Sequence, residues 1–204
     1  MLDANKSVTI LCSWYDGIAD ADKEETFTSV MVCGQRFAVR SDFRAVLDAL
    51  CALNDKSLSE QERYESFIRI LYPKWEQLPD MSAAMQEALI FVNLGKKIPE
   101  HQAPKPQLVD WETDVELIAP AVDKSLGYSC RRCEYLHWWE FIGAYYNIGD
   151  GLFAQVISIR SKRARGKPLE KYEQEFAKEN PDLVGNKSNA LTTEEEAFLR
   201  SLGV

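Results

Sequence analysis

The sequence predicts a mainly α (α+β) protein: a small N-terminal β-hairpin followed by helices, then a Pro-rich linker and a C-terminal helical unit. Three observations predict it. Period-two alternation of apolar residues is confined to the first 40 positions. From residue 41 onward apolar residues recur at helical spacing between recognisable start and stop signals. Three prolines fall within the 12 residues "KKIPEHQAPKPQ", where apolar periodicity is lost. The boundaries read as 1–95 for the hairpin and its helices, 96–107 for the linker, 108–163 for the C-terminal unit, and 164–204 for a charged, partly flexible tail with short helices.

The strand signals are "SVTILCSW" and "SVMVCGQRFAV", where V-x-V, a turn at Gly34 and F-x-V make a hairpin. In "SDFRAVLDALCAL", Ser41 or Asp42 can accept the first free amide hydrogens, and Phe43, Val46, Leu47 and Leu50 form one helical stripe. "SLSEQERYESFIRILYP" places Ser59 and Glu62 in capping-box spacing, carries Phe67, Ile68 and Leu71, and stops at Pro73. A third helix, about Met81 to Leu94, is bracketed by Pro79 and Gly95. Past the linker, "DWETDVELIAPAVDKSLGY" reads as a helix interrupted or bent near Pro120 and ended at Gly127. "EYLHWWEFIGAYY" makes the next, and "LFAQVISIR" a shorter one after "NIGDG". From Ser161 the apolar density falls and charge dominates, which predicts a solvated helix or a partly disordered stretch. A last short helix is expected in "TTEEEAFLRSLG", with acidic residues at its positive end.

Composition narrows the function classes. The 204 residues with 46% apolar content suffice for one sizeable domain or two small ones. A net charge of −8 argues against a surface that binds DNA through general basicity. Five scattered cysteines, an odd number, with no secretory leader before them, predict free thiols in a reducing cytoplasm. Nowhere do roughly 18 consecutive apolar residues occur, so no membrane span is expected.

The adjacent Trp138 and Trp139 pose the main question. At about 100° per residue their rings cannot share one narrow face. Read as a helix, Phe141, Tyr145, Trp138, Ile142, Tyr135, Tyr146, Trp139 and Leu136 sweep more than half the circumference, against the apolar stripe of about 100° that a surface helix needs. Two readings follow. The helix is sandwiched in a core, or part of its aromatic girth serves another chain, with Trp138, Trp139, Phe141, Tyr145 and Tyr146 as the partner-binding candidates. The sequence does not say which ring is free.

Catalytic chemistry is not specified. Cys130, Cys133 and His137 supply three potential zinc ligands, but a structural zinc takes four and no second cluster follows, so no metal and no cofactor are expected. Asp110, Glu112, Asp114 and Glu116 spread around a helix and are explained by its dipole. With neither a phosphate-cradling loop nor a nucleophile elbow, no enzymatic activity is expected. "RSKRARGK", Arg160 to Lys167, is a basic cluster that reads as a solvated run or a docking strip for an acidic partner, without the aromatic interleaving of a single-strand binder.

Residues 30 to 165 nevertheless carry a family likeness. "DWETDVELIAPAV", a glycine stop, "LHWWEF" and then "QVISIR", preceded by "VCGQRFAVRSDFRAVLDAL" and "LSEQERYESFIRILYP", resemble the Gp15 family of tailed bacteriophages, whose members look like tail assembly chaperones. The first 29 residues, the Cys130 and Cys133 pair and the segment after Lys167 depart from that likeness. The resemblance implies a non-enzymatic protein of the infected bacterium's cytoplasm that binds and solubilises the tape-measure protein, helps recruit tail-tube protein, and is missing from the mature virion. Self-association stays open, while membrane and nucleic-acid partners are not expected. The competing expectations are a small zinc- or nucleic-acid-binding phage regulator and a structural virion protein such as a head-tail connector.

Overall fold

The computed structural model describes residues 28–97, 106 and 108–185. "SVTILCSW", most of the Pro-rich linker, and "TTEEEAFLRSLG" lie outside the described residues. Among the described residues the chain is mainly helical with one two-stranded antiparallel sheet, as the patterning predicts. It divides into two compact units, Met1–Pro99 with His137–Trp139, and Glu100–Leu136 with Glu140–Val204.

The first unit opens with the hairpin. β1 (Ser29–Val32) pairs with β2 (Gln35–Ala38), Val32 opposite Gln35, and the strands turn through Cys33 and Gly34 with φ of 50° and 80°. Two successive positive φ values give the turn the twist that antiparallel strands need, and glycine takes the second at no steric cost. α1 (Phe43–Asn54) starts at Asp42, whose carboxylate accepts from the Arg44 N–H at 3.0 Å. Its buried stripe is Phe43, Val46 and Ala49, with Leu47 and Leu50 half-buried beside it. α2 (Glu60–Leu71) has the complete capping box. The Glu62 N–H donates to Ser59 Oγ at 3.3 Å, and the Ser59 N–H returns to Glu62 Oε2 at 2.8 Å. A 3₁₀ turn, Trp75–Gln77, leads to α3 (Met81–Val92), capped by Asp80 accepting from the Ala83 N–H at 2.7 Å.

The core of this unit gathers Val32, Val39, Phe43, Val46, Phe67, Ile68, Leu71, Ala84, Ala88 and Phe91. Each large side chain among them contributes about 1.5–3 kcal/mol by leaving water. Tyr72 is buried too, its hydroxyl donating to the Ala84 carbonyl at 2.8 Å, and burial raises its phenol above the usual range.

Helix ends in this unit are closed from a distance. The last four carbonyls of an α-helix lack intrahelical donors. For α2, the Tyr72 N–H takes Ile68 O at 2.9 Å, the Arg40 guanidinium takes Arg69 O and Ile70 O, and the Arg40 N–H takes Leu71 O at 2.8 Å. A cation there also meets the negative end of the helix dipole.

In the second unit, α4 (Val115–Leu126) begins later than the sequence predicts. Asp110 instead folds a turn, accepting from the Glu112 and Thr113 N–H groups at 3.0 and 2.9 Å, and Asp114 accepts from the Asp110 N–H at 3.0 Å. The helix runs through Pro120 without interruption. The ring lies on an exposed face, where water can meet the Glu116 carbonyl that proline leaves without a donor. Gly127, φ 78°, closes it with its N–H on Asp123 O at 2.8 Å.

α5 (Trp138–Tyr146) also starts later than expected, so Tyr135 and Leu136 precede the helix. His137 is drawn into an isolated antiparallel bridge with Asp42, and the Trp138 N–H donates to Ser41 O at 2.7 Å. The Trp139 N–H is then met by His137 Nδ1 at 3.0 Å, so the imidazole accepts as a side-chain N-cap would. α6 (Leu152–Ala164) runs past Arg160 into the basic cluster. Two further helices follow in the charged segment where short helices are expected, α7 (Lys171–Glu179) and α8 (Pro181–Val184). They bury Ala177 and Val184 against Ile159, with Leu169 and Phe176 alongside, which gives this polar segment a small core of its own.

Candidate functional site

The two tryptophans answer the question they raise by sharing one task. Trp138 Nε1–H donates to Val92 O at 2.9 Å, and Trp139 Nε1–H donates to Phe91 O at 2.8 Å. These are the last two carbonyls of α3. The Asn93 N–H takes Leu89 O at 3.0 Å and the Gly95 N–H takes Ile90 O at 2.8 Å, so all four orphan carbonyls of α3 are satisfied. Leu94 and Gly95, both at positive φ, make the reversal that brings the Gly95 amide back. Rings side by side in sequence point apart, and here their N–H tips reach neighbouring carbonyls of one helix end.

The five aromatic candidates therefore have different surroundings. Trp138 is 2% exposed, while Trp139 is half-buried, tilted on the Phe91 ring at 6.0 Å and edge-on to His137 at 5.8 Å. Both belong to the first unit. Phe141 is 2% exposed, and with the half-buried Tyr145 it packs on Trp111 in the second unit, ring centroids 6.4 and 5.1 Å away. Tyr145 also meets Phe153 at 5.7 Å. Tyr146 alone of the five is open, at 69% exposure, at the end of α5. Glu140 in the first turn of that helix is partly enclosed, and burial pushes its carboxyl above the ordinary range.

The zinc-like residues are engaged elsewhere. His137 Nδ1 accepts from the backbone, and the Cys133 thiol donates to Cys130 O at 2.9 Å. Burial first, and then the neighbouring Asp123, push the Cys130 thiol up to about 12. Such a thiol is a poor nucleophile at neutral pH. Among the described residues no group of three or more His, Cys, Asp or Glu side chains could hold a metal ion.

The basic cluster turns partly inward. Arg160 is buried and holds both oxygens of buried Asp114, at 2.6 and 2.9 Å, while also donating to Leu108 O and Leu183 O at 2.9 and 2.7 Å. Lys162 pairs with buried Glu173 at 2.7 Å, and Arg163 donates to Val184 O at 3.4 Å. Three of its cations thus organise the fold of the second unit. One signal was readable: Arg160 follows Phe153 and Val156 at helical spacing, on the apolar stripe of α6.

A feature that the aromatic pattern did not flag lies in the first unit. α2 and α3, with Leu53 from α1, wall a groove of about 1240 Å³. Its sides are Tyr64 and Ile68 on α2 and Met81, Met85 and Leu89 on α3. Tyr64 and Met81 are 45% and 41% exposed. The signal for it is the four-residue repeat Met81, Met85, Leu89, which a helix stacks into one ridge.

Among the described residues no helix is long and apolar enough to cross a membrane. No curated protein and no solved structure matches the chain. The family model described as Bacteriophage Gp15 protein matches residues 23–181, spanning both units. With most of its length covered by that model, this chain belongs to the bacteriophage Gp15 protein family.

Proposed function

We propose that this protein is a non-enzymatic tail assembly chaperone, acting in the cytoplasm of the infected bacterium and missing from the finished virion. Its client is the tape-measure protein, which it keeps soluble, and it helps recruit tail-tube protein as the tail is built. The observation that carries the reading is membership in the phage Gp15 family over residues 23–181, which points to a phage structural or assembly protein. Physical chemistry supports the finer statement. A long helical client exposes apolar stripes, and holding it takes apolar surface on a body charged enough to stay dissolved. The exposed Tyr64, Met81, Tyr146 and Leu152 and the net charge of −8 provide those properties.

Co-expression with the tape-measure protein of the same phage tests this. The soluble yield of the client should rise several-fold with this chain present, and mass spectrometry of purified particles should not find the chain. Equal yields would remove the chaperone reading, and stoichiometric recovery from virions would replace it with a structural one.

A further inference from the structure

We propose that the aromatic corner where α5 ends, Trp111, Tyr145 and Tyr146 with Val115, is the docking surface for a basic amphipathic segment of a partner protein, whose apolar side chains lie on Tyr146 and Val115 and whose lysine or arginine meets Glu112 and Glu116. This rests on the client-holding reading above and assigns it a surface within the second unit.

The corner is a graded stack of rings. Phe141 and Phe153 are buried, Trp111 and Tyr145 are half-buried, and Tyr146 is 69% exposed. Tyr145 is the hub, with the ring centroids of Trp111, Phe153 and Tyr146 at 5.1, 5.7 and 5.8 Å. Ring-on-ring contacts therefore run from the core of this unit to its surface and end on a ring open to water. Backed by Tyr145, Tyr146 offers a large rigid area with a polar tip, the property that makes tyrosine a frequent interface anchor. Val115, four residues beyond Trp111, is 45% exposed and continues the apolar strip onto α4.

Charge selects a basic partner. Glu112 and Glu116 follow Trp111 and Val115 in the chain and are exposed, and among the described residues no ion pair or hydrogen bond engages either carboxylate. The dipole of α4 accounts for Glu116 in its first turn, but Glu112 lies ahead of the helix. The neighbouring cations are engaged elsewhere. Arg160 is held by both oxygens of Asp114, and Lys124, eight residues beyond Glu116, donates to Asp150 O at 3.4 Å. A lysine or arginine arriving with the partner would meet two carboxylates and the π face of Tyr146, which attracts cations. The net charge of −8 acts in the same direction at longer range, drawing in a basic partner and repelling an acidic one.

The test co-expresses the phage's own tape-measure protein with the full chain and with Tyr146→Ala, Glu112→Lys paired with Glu116→Lys, the milder Glu112→Gln paired with Glu116→Gln, and Tyr64→Ala in the first unit as a control. Client captured per folded chain is scored at low and high salt, and thermal melting of each purified variant controls for folding. The expected result is a loss of about tenfold or more for Tyr146→Ala and for the lysine pair, a several-fold loss for the glutamine pair, and retention by Tyr64→Ala, with melting little changed at these exposed positions. Wild-type capture should weaken as salt rises, and less steeply in the glutamine pair. If wild type holds the client and Tyr146→Ala and both pairs hold it equally, the corner is wrong and the chaperone reading survives. If wild type holds none, both fall. Capture that depends on Tyr146 but ignores salt and both pairs overturns the basic partner, and an equal loss in Tyr64→Ala overturns the corner as a specific surface. Light scattering that shows wild-type dimers and Tyr146→Ala monomers, with capture unaffected, would assign the corner to a second copy of this chain and overturn the proposal.

Discussion

Replacing each tryptophan by phenylalanine should separate two indoles that look equivalent in the sequence. Trp138→Phe removes the donor that Val92 O depends on, from a ring only 2% exposed. Losing a neutral hydrogen bond costs about 1 kcal/mol, and leaving its acceptor without a donor adds about 1 kcal/mol or more. With the smaller ring filling less of the site, the total comes to about 2–3 kcal/mol. Trp139→Phe removes a donor from Phe91 O, but that carbonyl also accepts from the Leu94 N–H at 3.2 Å, and the ring is half-buried. Its loss should be about 1 kcal/mol. For a domain of this unit's size, about 1 kcal/mol corresponds to a melting shift of about 4–8 °C, so Trp138→Phe should fall at least about twice as far as Trp139→Phe. Calorimetry of the full chain measures this. Hydrogen exchange at the Leu94 and Gly95 amides locates the loosening at the end of α3. Equal shifts, a larger shift for Trp139→Phe, or unchanged melting of Trp138→Phe would refute the capping account.

Three further outcomes follow from the second unit and its thiols. Asp114→Asn should destabilise the protein by about 3–5 kcal/mol because it strands the buried Arg160 charge, whereas Asp114→Leu combined with Arg160→Met should cost less than either single change in denaturant titrations. Lys162, and then the Glu170 N–H, hold the Glu173 carboxyl below its ordinary 4.5; a group depressed by folding lends stability above the unfolded value and loses it as pH falls, so α7 amides should exchange faster once pH drops below that value, and no faster in Glu173→Gln. Iodoacetamide at neutral pH should label exposed Cys33 and leave Cys130 unmodified in the folded protein, as peptide mass spectrometry would show.

Local signals carried most of the fold. The Ser59–Glu62 box, the Gly34 turn and the Gly127 stop are each written within four residues, and each appears where its chemistry requires it. What could not be read is what depends on distance. Trp138 meets Val92 across 46 positions and Arg160 meets Asp114 across 46, and nothing in either neighbourhood names its partner. Counting the aromatic arc from Tyr135 overstated the helix, since tertiary bonds to Ser41 and Asp42 take the residues that a free helix would have used. The stretch leaves Tyr135 and Tyr146, at its two ends, open to solvent. The groove was legible only as the Met81, Met85, Leu89 repeat.

The long-range closure of α3 has a consequence for synthesis. Ribosomes add about 5–20 residues per second, so Trp138 and Trp139 are made roughly 2–10 s after Val92. Throughout that interval the nascent N-terminal unit holds Val92 O without its indole donor, and it cannot reach its final stability until more than forty later residues have left the tunnel. A nascent chain halted in the Pro-rich segment would thus present an unfinished first unit, and separate expression of the two halves would not reproduce the whole.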